Sequence, residues 1–408
     1  MFLTESKLVR RISPASRKTI FNVAAFALAS AFTTPAVQAQ DFTVLHEFNG
    51  ATDGANPEGS LLLDASGNLY GTTFAGGIGQ GTVFKIDTAG RQTTLFTFSA
   101  FETGSNPASP LIQDDEGNLL GIADIGPGGA GVVYKLSPAG EQELLLAFQG
   151  STGRNARVPS GGIRRDKFGN IFGTTLFGGT GRCQFGCGSV FRLDTAGVLH
   201  VLYTFSGGAD GSKPFGPLLQ DADGSLIGVA QSGGNLSCPV SPQLGCGTVF
   251  KLSRNRQLTV LHTFQGGADG ATPQPGLLRD AAGNLYGAAS AGGTGENGVL
   301  FKISSDGTYT VLHAFTGMDG SVPNGGLVSD PAGNLYGTAQ MGGARGLGTV
   351  FALSPAGEVS VLHAFTGDLD GAFPLSGVIR DDAGHLFGTA VKNFLIQQQN
   401  GVVFEIRL

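Results

Sequence analysis

The chain has 408 residues, 68 of them glycine, with 41% hydrophobic and only 14% charged residues. It is too apolar for an intrinsically disordered chain, and its glycine content without a Gly-X-Y period excludes collagen. The formal charge of −6 argues against a nucleic-acid binder, which needs clustered positive charge to meet phosphate.

In chain order, the first element is a leader. Lys7, Arg10, Arg11, Arg17 and Lys18 form a basic region, an apolar run follows over 20–32, and the small residues Val37 and Ala39 precede Gln40. That order is the secretory pattern, and the run is shorter than the ~20 residues a spanning helix needs. Residues 1–39 are therefore expected to be a cleaved signal peptide. The product would be secreted or periplasmic, with no stable membrane insertion. Cleavage removes five basic residues and one acidic residue, leaving 20 and 30 and a formal charge of −10.

Residues 42–48 read as a lone strand of the type VLHxF, a signature that returns with variants ending at Phe98, Phe148, Phe205, Phe264, Phe315 and Phe365. Two more signatures recur with it. DxxGNLYG begins at Asp64, Asp114, Asp166, Asp221, Asp280, Asp330 and Asp381; GTVFK begins at Gly81, Gly131, Gly188, Gly247, Gly298, Gly348 and Gly401. A repeat of about 50 residues carrying four short strands has the size of a propeller blade. In the first repeat the alternation and turn residues predict strands a, b, c and d over 61–64, 68–73, 82–86 and 93–98. In the a–b turn, Asp accepts backbone N–H groups and Gly takes positive φ. The c–d turn uses the same device (Asp87 with Gly90, Ser137 with Gly140, Asp194 with Gly197, Ser354 with Gly357). The fourth copy has Arg256 in place of the glycine, and Asn255 is expected to take the left-handed conformation there.

The last strand expected, 402–406, is the seventh c strand. The lone d strand at 42–48 can complete that blade, closing the ring and removing its open edges. The expectation is an all-β, seven-bladed β-propeller over residues 40–408, with four antiparallel strands per blade, and a monomer.

The loops divide by face. The short a–b and c–d turns share one face; the longer, variable d–a and b–c loops share the other, where binding is expected. Cys183, Cys187, Cys238 and Cys246 lie in the b–c loops of blades three and four and read as two local disulfides; the alternative is a four-thiolate zinc site. Asp53, Asp210, Asp269, Asp319 and Asp370 recur in the d–a loops. They read as Asp-Gly turns before they read as calcium ligands. His46, His262, His313 and His363 share one strand-d position, so they are expected to pack or hydrogen-bond rather than act as bases. His200 and His385 are unrepeated but have no accompanying nucleophile signature. In blade three, Arg154, Arg157 and Arg164, with Arg165 and Lys167, make a basic cluster that reads first as a solvated edge with no partner and second as a site for a carboxylate or an anionic sugar, with Phe177 and Phe185 as the aromatics to flank it. The inner strands are mostly Leu, Ile, Val and Gly, interrupted by Gln113, Arg164, Gln220, Arg279 and Arg380. No catalytic constellation or cofactor motif is evident.

The repeat, as in GNLYGTTFAGGIGQGTVFKIDTAG followed by TVLHxF, closely resembles the GloVer (Gloeobacter/Verrucomicrobium) tandem repeat of exported, choice-of-anchor bacterial proteins. The resemblance covers nearly all of 42–408. It implies an extracytoplasmic propeller-like protein and carries no established activity or site residues. Many relatives add a C-terminal sorting segment, whereas here the seventh blade is followed by none, so a soluble form is expected. The strand phase is also similar to that of NHL-type propellers, which bears on fold alone. The function expected is a non-enzymatic binding or scaffold propeller that presents its loop-rich face to a protein or glycan partner. The alternatives are a propeller enzyme of lyase, glycosidase or lactonase type working at the channel mouth, and a structural envelope component.

Overall fold

The structure is a computed structural model that describes residues 40–99, 102–149, 157–391 and 400–408. The signal-peptide expectation for 1–39 and the candidate Arg154 lie outside the described residues, and of Arg157 only the backbone is described.

Seven antiparallel sheets follow one another along the chain. Blade one consists of strands Leu62–Leu63, Leu69–Thr73, Thr82–Ile86 and Gln92–Thr97, in that order from the axis outward. The seventh blade unites Ile379–Arg380, Leu386–Ala390 and Val402–Arg407 with the chain's first strand, Asp41–Glu47. The register runs from Asp41 opposite Arg407 to Glu47 opposite Val402. The expected ring closure is therefore present. The fold is an all-β, seven-bladed propeller.

The repeated residues are those that join one blade to the next. The phenylalanine ending each d strand packs edge-to-face on the aromatic of the next blade's GTVF strand. Phe98 meets Tyr134 at 5.2 Å between centroids and Phe205 meets Phe250 at 5.2 Å. Phe48 meets Phe84 at 5.1 Å, joining blade seven to blade one. All of these rings are buried. Such pairs contribute about 0.5–1.5 kcal/mol each beyond the area they bury. Tyr134 is the exception to phenylalanine in its strand, and its hydroxyl is buried with no hydrogen-bond partner.

A second device couples a glycine to a proline. A Cβ on Gly188 (φ +92°) would lie 2.4 Å from Cδ of Pro214 in the following blade; Gly401 meets Pro57 at the same distance across the ring closure. The residue before that proline is left-handed in every blade: Asn56, Asn106, Val158, Lys213, Thr272, Val322 and Phe373 have φ between 47° and 58°. For β-branched Val158, Thr272 and Val322 this is a strained conformation. At six of the seven positions the N–H donates to a carbonyl of the preceding blade's b–c loop and so holds the conformation, as from Lys213 to Cys187 (2.8 Å), Thr272 to Cys246 (2.8 Å) and Asn56 to Asn400 (2.7 Å).

Two local expectations are corrected. The segment after the d–a Asp-Gly, read as loop, is the upper half of strand a. It is continuous in Arg157–Arg165 and Ser212–Gln220, where the register shifts, and separate in Ala271–Pro273 and Ser321–Pro323. Proline and the break in pairing erase the period-two alternation that would have revealed it. In the fourth c–d turn Arg256 itself, not Asn255, is left-handed (φ 63°), and its N–H donates to Ser253 O at 2.9 Å.

Candidate functional site

The d–a and b–c loops converge on one end of the propeller, around the mouth of the central axis. Near the axis the inner strands abut: a Cβ on Gly377 would lie 2.0 Å from the carbonyl oxygen of Gly326. What space remains is a cavity of about 320 Å³ lined by residues of all seven blades, including Pro110, Gly161, Phe215, Pro275, Asn324 and Leu375. Its lining is largely apolar, and Glu58 is the one charged side chain among the described residues that line it.

Glu58 follows Pro57 on the inner segment of blade one, where the other blades carry Ala108, Ser160, Phe215, Gln274, Asn324 and Leu375. Burial, reinforced by the nearby Asp124 carboxylate, raises its pKa to about 7. Burial likewise raises Asp124 to about 6. Asp124 directly follows strand b of blade two (Leu119–Ala123), at a position where the repeat otherwise has Phe74, Leu176, Gln231, Ser290, Gln340 and Val391. In the same region Oδ1 of Asn56 is buried and accepts no hydrogen bond. The sequence reading missed this pair of single-copy acids. The signal was available, since each departs from the repeat at its own position. Their adjacency was not, since they lie on different blades and 66 residues apart.

The four cysteines form the two expected local disulfides, Cys183–Cys187 and Cys238–Cys246, not a four-thiolate set. They pin the b–c loops of blades three and four, and the carbonyls of Cys187 and Cys246 also receive the inter-blade hydrogen bonds described above. On these loops Phe185 is 55% exposed, Leu244 53% and Leu236 38%. Phe177 is half-buried beneath Phe185, ring edge to ring face at 6.1 Å.

The basic cluster of blade three does not assemble as expected. Arg157 pairs with Phe177 at the loop-rich end of the blade, and Arg165 pairs with Ile171 at the opposite end. Rise along a strand puts Arg164 about 20 Å from the end where Arg157 and Phe185 lie. Arg164 therefore belongs to the turn face and shares no site with Phe185. A register shift between Pro159 and Ile163 separates the two halves.

The repeated aspartates sit singly, one per blade. Asp319 accepts from the Thr316 N–H and pairs with His313 at 2.7 Å. Asp370 accepts from Thr366 and pairs with His363 at 2.9 Å. Asp53 and Asp269 are engaged in the same way by His46 and His262, each at 3.2 Å, and Asp210 by Tyr203 and Ser206. Burial opposes ionisation of Asp319, yet the hydrogen bonds from Thr316 and His313 hold it below the usual range. The strand-d histidines thus brace a turn. His200 pairs with Asp194 at 2.7 Å, and His385 lies between Asp381 and Glu405, both on the turn face. Among the described residues no three His, Cys, Asp or Glu side chains converge as a metal site would require. No helix among them is long and apolar enough to cross a membrane.

The solved structures similar to this one match at low sequence identity. The extracellular domain assigned to a one component system of B. thetaiotaomicron matches with a TM-score of 0.52 and 13% identity over 90% of this chain, which spans 42% of that protein. A gluconolactonase from Xanthomonas campestris matches with a TM-score of 0.42 and 17% identity, covering 72% of this chain and 85% of that one. A luciferin-regenerating enzyme matches with a TM-score of 0.44 and 13% identity over 90% and 95%. At 13% identity the likeness to the B. thetaiotaomicron domain bears on fold alone. No curated protein matches the sequence. The repeat itself is decisive: its model matches residues 31–158, 124–330 and 239–408, and the chain belongs to the Gloeobacter/Verrucomicrobia repeat family.

Proposed function

We propose that the protein is an exported, non-enzymatic binding propeller whose loop-rich face receives a protein or glycan partner. The observation that carries this reading is the placing of exposed apolar side chains. Of the 13 exposed large apolar side chains among the described residues, nine (Ile78, Ile125, Phe185, Leu236, Val240, Leu244, Met318, Met341 and Leu369) lie in or beside the b–c and d–a loops of that face, against Phe168 and Val198 in the turns of the other. Exposed apolar side chains gathered on one side of a water-facing protein mark interaction surfaces. The two disulfides support the same reading, because they hold the loops of blades three and four in one shape and so lower the ordering cost of binding. The test is a glycan array and an envelope extract of the native host, probed with the wild type and with a Phe185→Ser, Leu236→Ser, Leu244→Ser variant of unchanged melting temperature. Loss of captured partners supports the reading; full retention by the variant removes it.

A second reading rests on Glu58 and Asp124. A carboxyl group tuned to about 7 beside an apolar axial cavity is the environment of a general acid or base. Turnover of a sugar, lactone or ester substrate that is abolished by Glu58→Gln, with the fold intact, would establish the enzyme reading instead.

A further inference from the structure

The opposite face of the propeller carries a second, unrelated feature. Between the turns of blades three and four lies a cleft of about 590 Å³. Arg164 stands opposite Phe172, and Phe172 opposite Arg192, on three neighbouring strands. Directly opposed residues share a sheet face, and strands lie about 4.8 Å apart, so the two arginines start about 10 Å apart on either side of the phenylalanine. At the position of Arg164 the other six blades carry Leu62, Ile112, Leu219, Leu278, Val328 and Ile379. A guanidinium where the repeat has an aliphatic contact is costly unless it finds a partner. Yet Nε of Arg164 and Nε of Arg192 are both buried with no hydrogen-bond partner.

The cleft is left open by a change in the neighbouring blade. Arg165 reaches back to Asp115 of blade two at 3.1 Å, and Arg279 reaches back to Asp221 of blade four. In blade four that position is Gln220, so the equivalent clamp onto blade three is missing. The two carboxylates that line the cleft are already engaged. Asp166 accepts from the N–H groups of Phe168 and Asn170 and from the Asn170 amide, while Asp221 pairs with Lys251 and Arg279. Arg254 and Arg256 complete the basic wall, and neither makes an ion pair among the described residues. Arg256 is also the residue held left-handed where the repeat has glycine. At the rim Phe168 is 70% exposed, with Lys167 over its ring at 5.2 Å.

We propose that this cleft is a binding site for a small anionic sugar. Its carboxylate or phosphate would be gripped between Arg164 and Arg192, and its ring would lie against the aromatic side chains. Guanidinium groups match both oxyanions through paired N–H donors. The site is independent of the loop-rich face, and failure of either reading leaves the other standing.

The test is titration calorimetry of the purified protein at low salt with glucuronate, glucose 6-phosphate, glucose and inorganic phosphate. Binding of one or both anionic sugars, with none of glucose, is the expected result, and the preferred one identifies the oxyanion. Arg164→Leu, which installs the aliphatic residue of the other blades, is expected to weaken binding about tenfold or more. It should leave the melting temperature unchanged or raised. Arg91→Ala, at an exposed arginine on the same face, should leave affinity unchanged. The proposal is overturned if neither anionic sugar binds, if Arg164→Leu binds as the wild type does, or if inorganic phosphate binds as tightly as the phosphorylated sugar and glucuronate not at all.

Discussion

At the scale of single residues, the departures from the repeat are the informative positions. Tyr134 places a hydroxyl where the other blades have phenylalanine, and the hydroxyl is buried without a partner. An unsatisfied buried hydroxyl costs about 1–3 kcal/mol, so Tyr134→Phe is expected to raise stability by about 1–2 kcal/mol, read in a urea titration at unchanged slope. Glu58 and Asp124 act in the opposite sense to most surface carboxylates. Their folded-state values, about 7 and about 6, lie above the ordinary ones, so the folded state holds these protons more tightly than the unfolded chain does. Their contribution to stability is full below the ordinary carboxylate range and is lost as pH rises through 6 and then 7. The melting temperature should therefore fall between about pH 5 and pH 8, and Glu58→Gln should flatten that fall. A profile identical to that of the wild type would show that Glu58 titrates normally.

At the scale of elements, every blade is joined to the next by an edge-to-face aromatic pair and a glycine–proline fit, and at six of the seven junctions also by an N–H bond from a left-handed residue. These explain why GTVF and the d–a proline recur, since both ends of each contact must be present in every copy. Gly188→Ala would put a methyl group 2.4 Å from Pro214 Cδ and from the Thr175 carbonyl, at a φ that disfavours any side chain. The expected loss is about 3 kcal/mol, with the melting temperature falling accordingly. Gly197→Ala has a similar φ but open space around it, so its loss should be the smaller by the clash alone. Equal losses at the two sites would mean that backbone strain, not the fit between blades, sets the cost.

At the scale of the whole molecule, the ring is completed by the pairing of Asp41–Glu47 with Val402–Arg407, together with the Phe48–Phe84 and Gly401–Pro57 contacts. Deleting 41–47 removes one of four strands from one blade only. It also exposes the edge of Val402–Arg407 and frees the join between the seventh blade and the first. Cooperative unfolding should be lost and self-association should appear in sedimentation, because an exposed edge strand pairs with other chains. Addition of a synthetic peptide of residues 40–48 should restore the monomer. A deleted protein that melts as sharply as the intact one, without peptide, would show that closure contributes little.

Fold, blade number, strand phase and the pairing of the first strand with the last were all legible in the sequence. A sevenfold repeat states its own geometry: a residue that must meet the next blade recurs at the same position each time. The local disulfides were legible for a similar reason, since cysteines four and eight residues apart have few other partners within reach. The upper half of strand a was not legible, because proline and a register shift hide its alternation. Nor were the two candidate sites. Glu58 and Asp124 meet between blades one and two, and Arg164, Arg192, Arg254 and Arg256 meet between blades three and four. The basic residues that looked like one cluster in the chain lie at opposite ends of a single strand. A repeat reveals what its copies have in common, whereas a site is built from what they do not, and only the packing of blade on blade decides which of those differences meet.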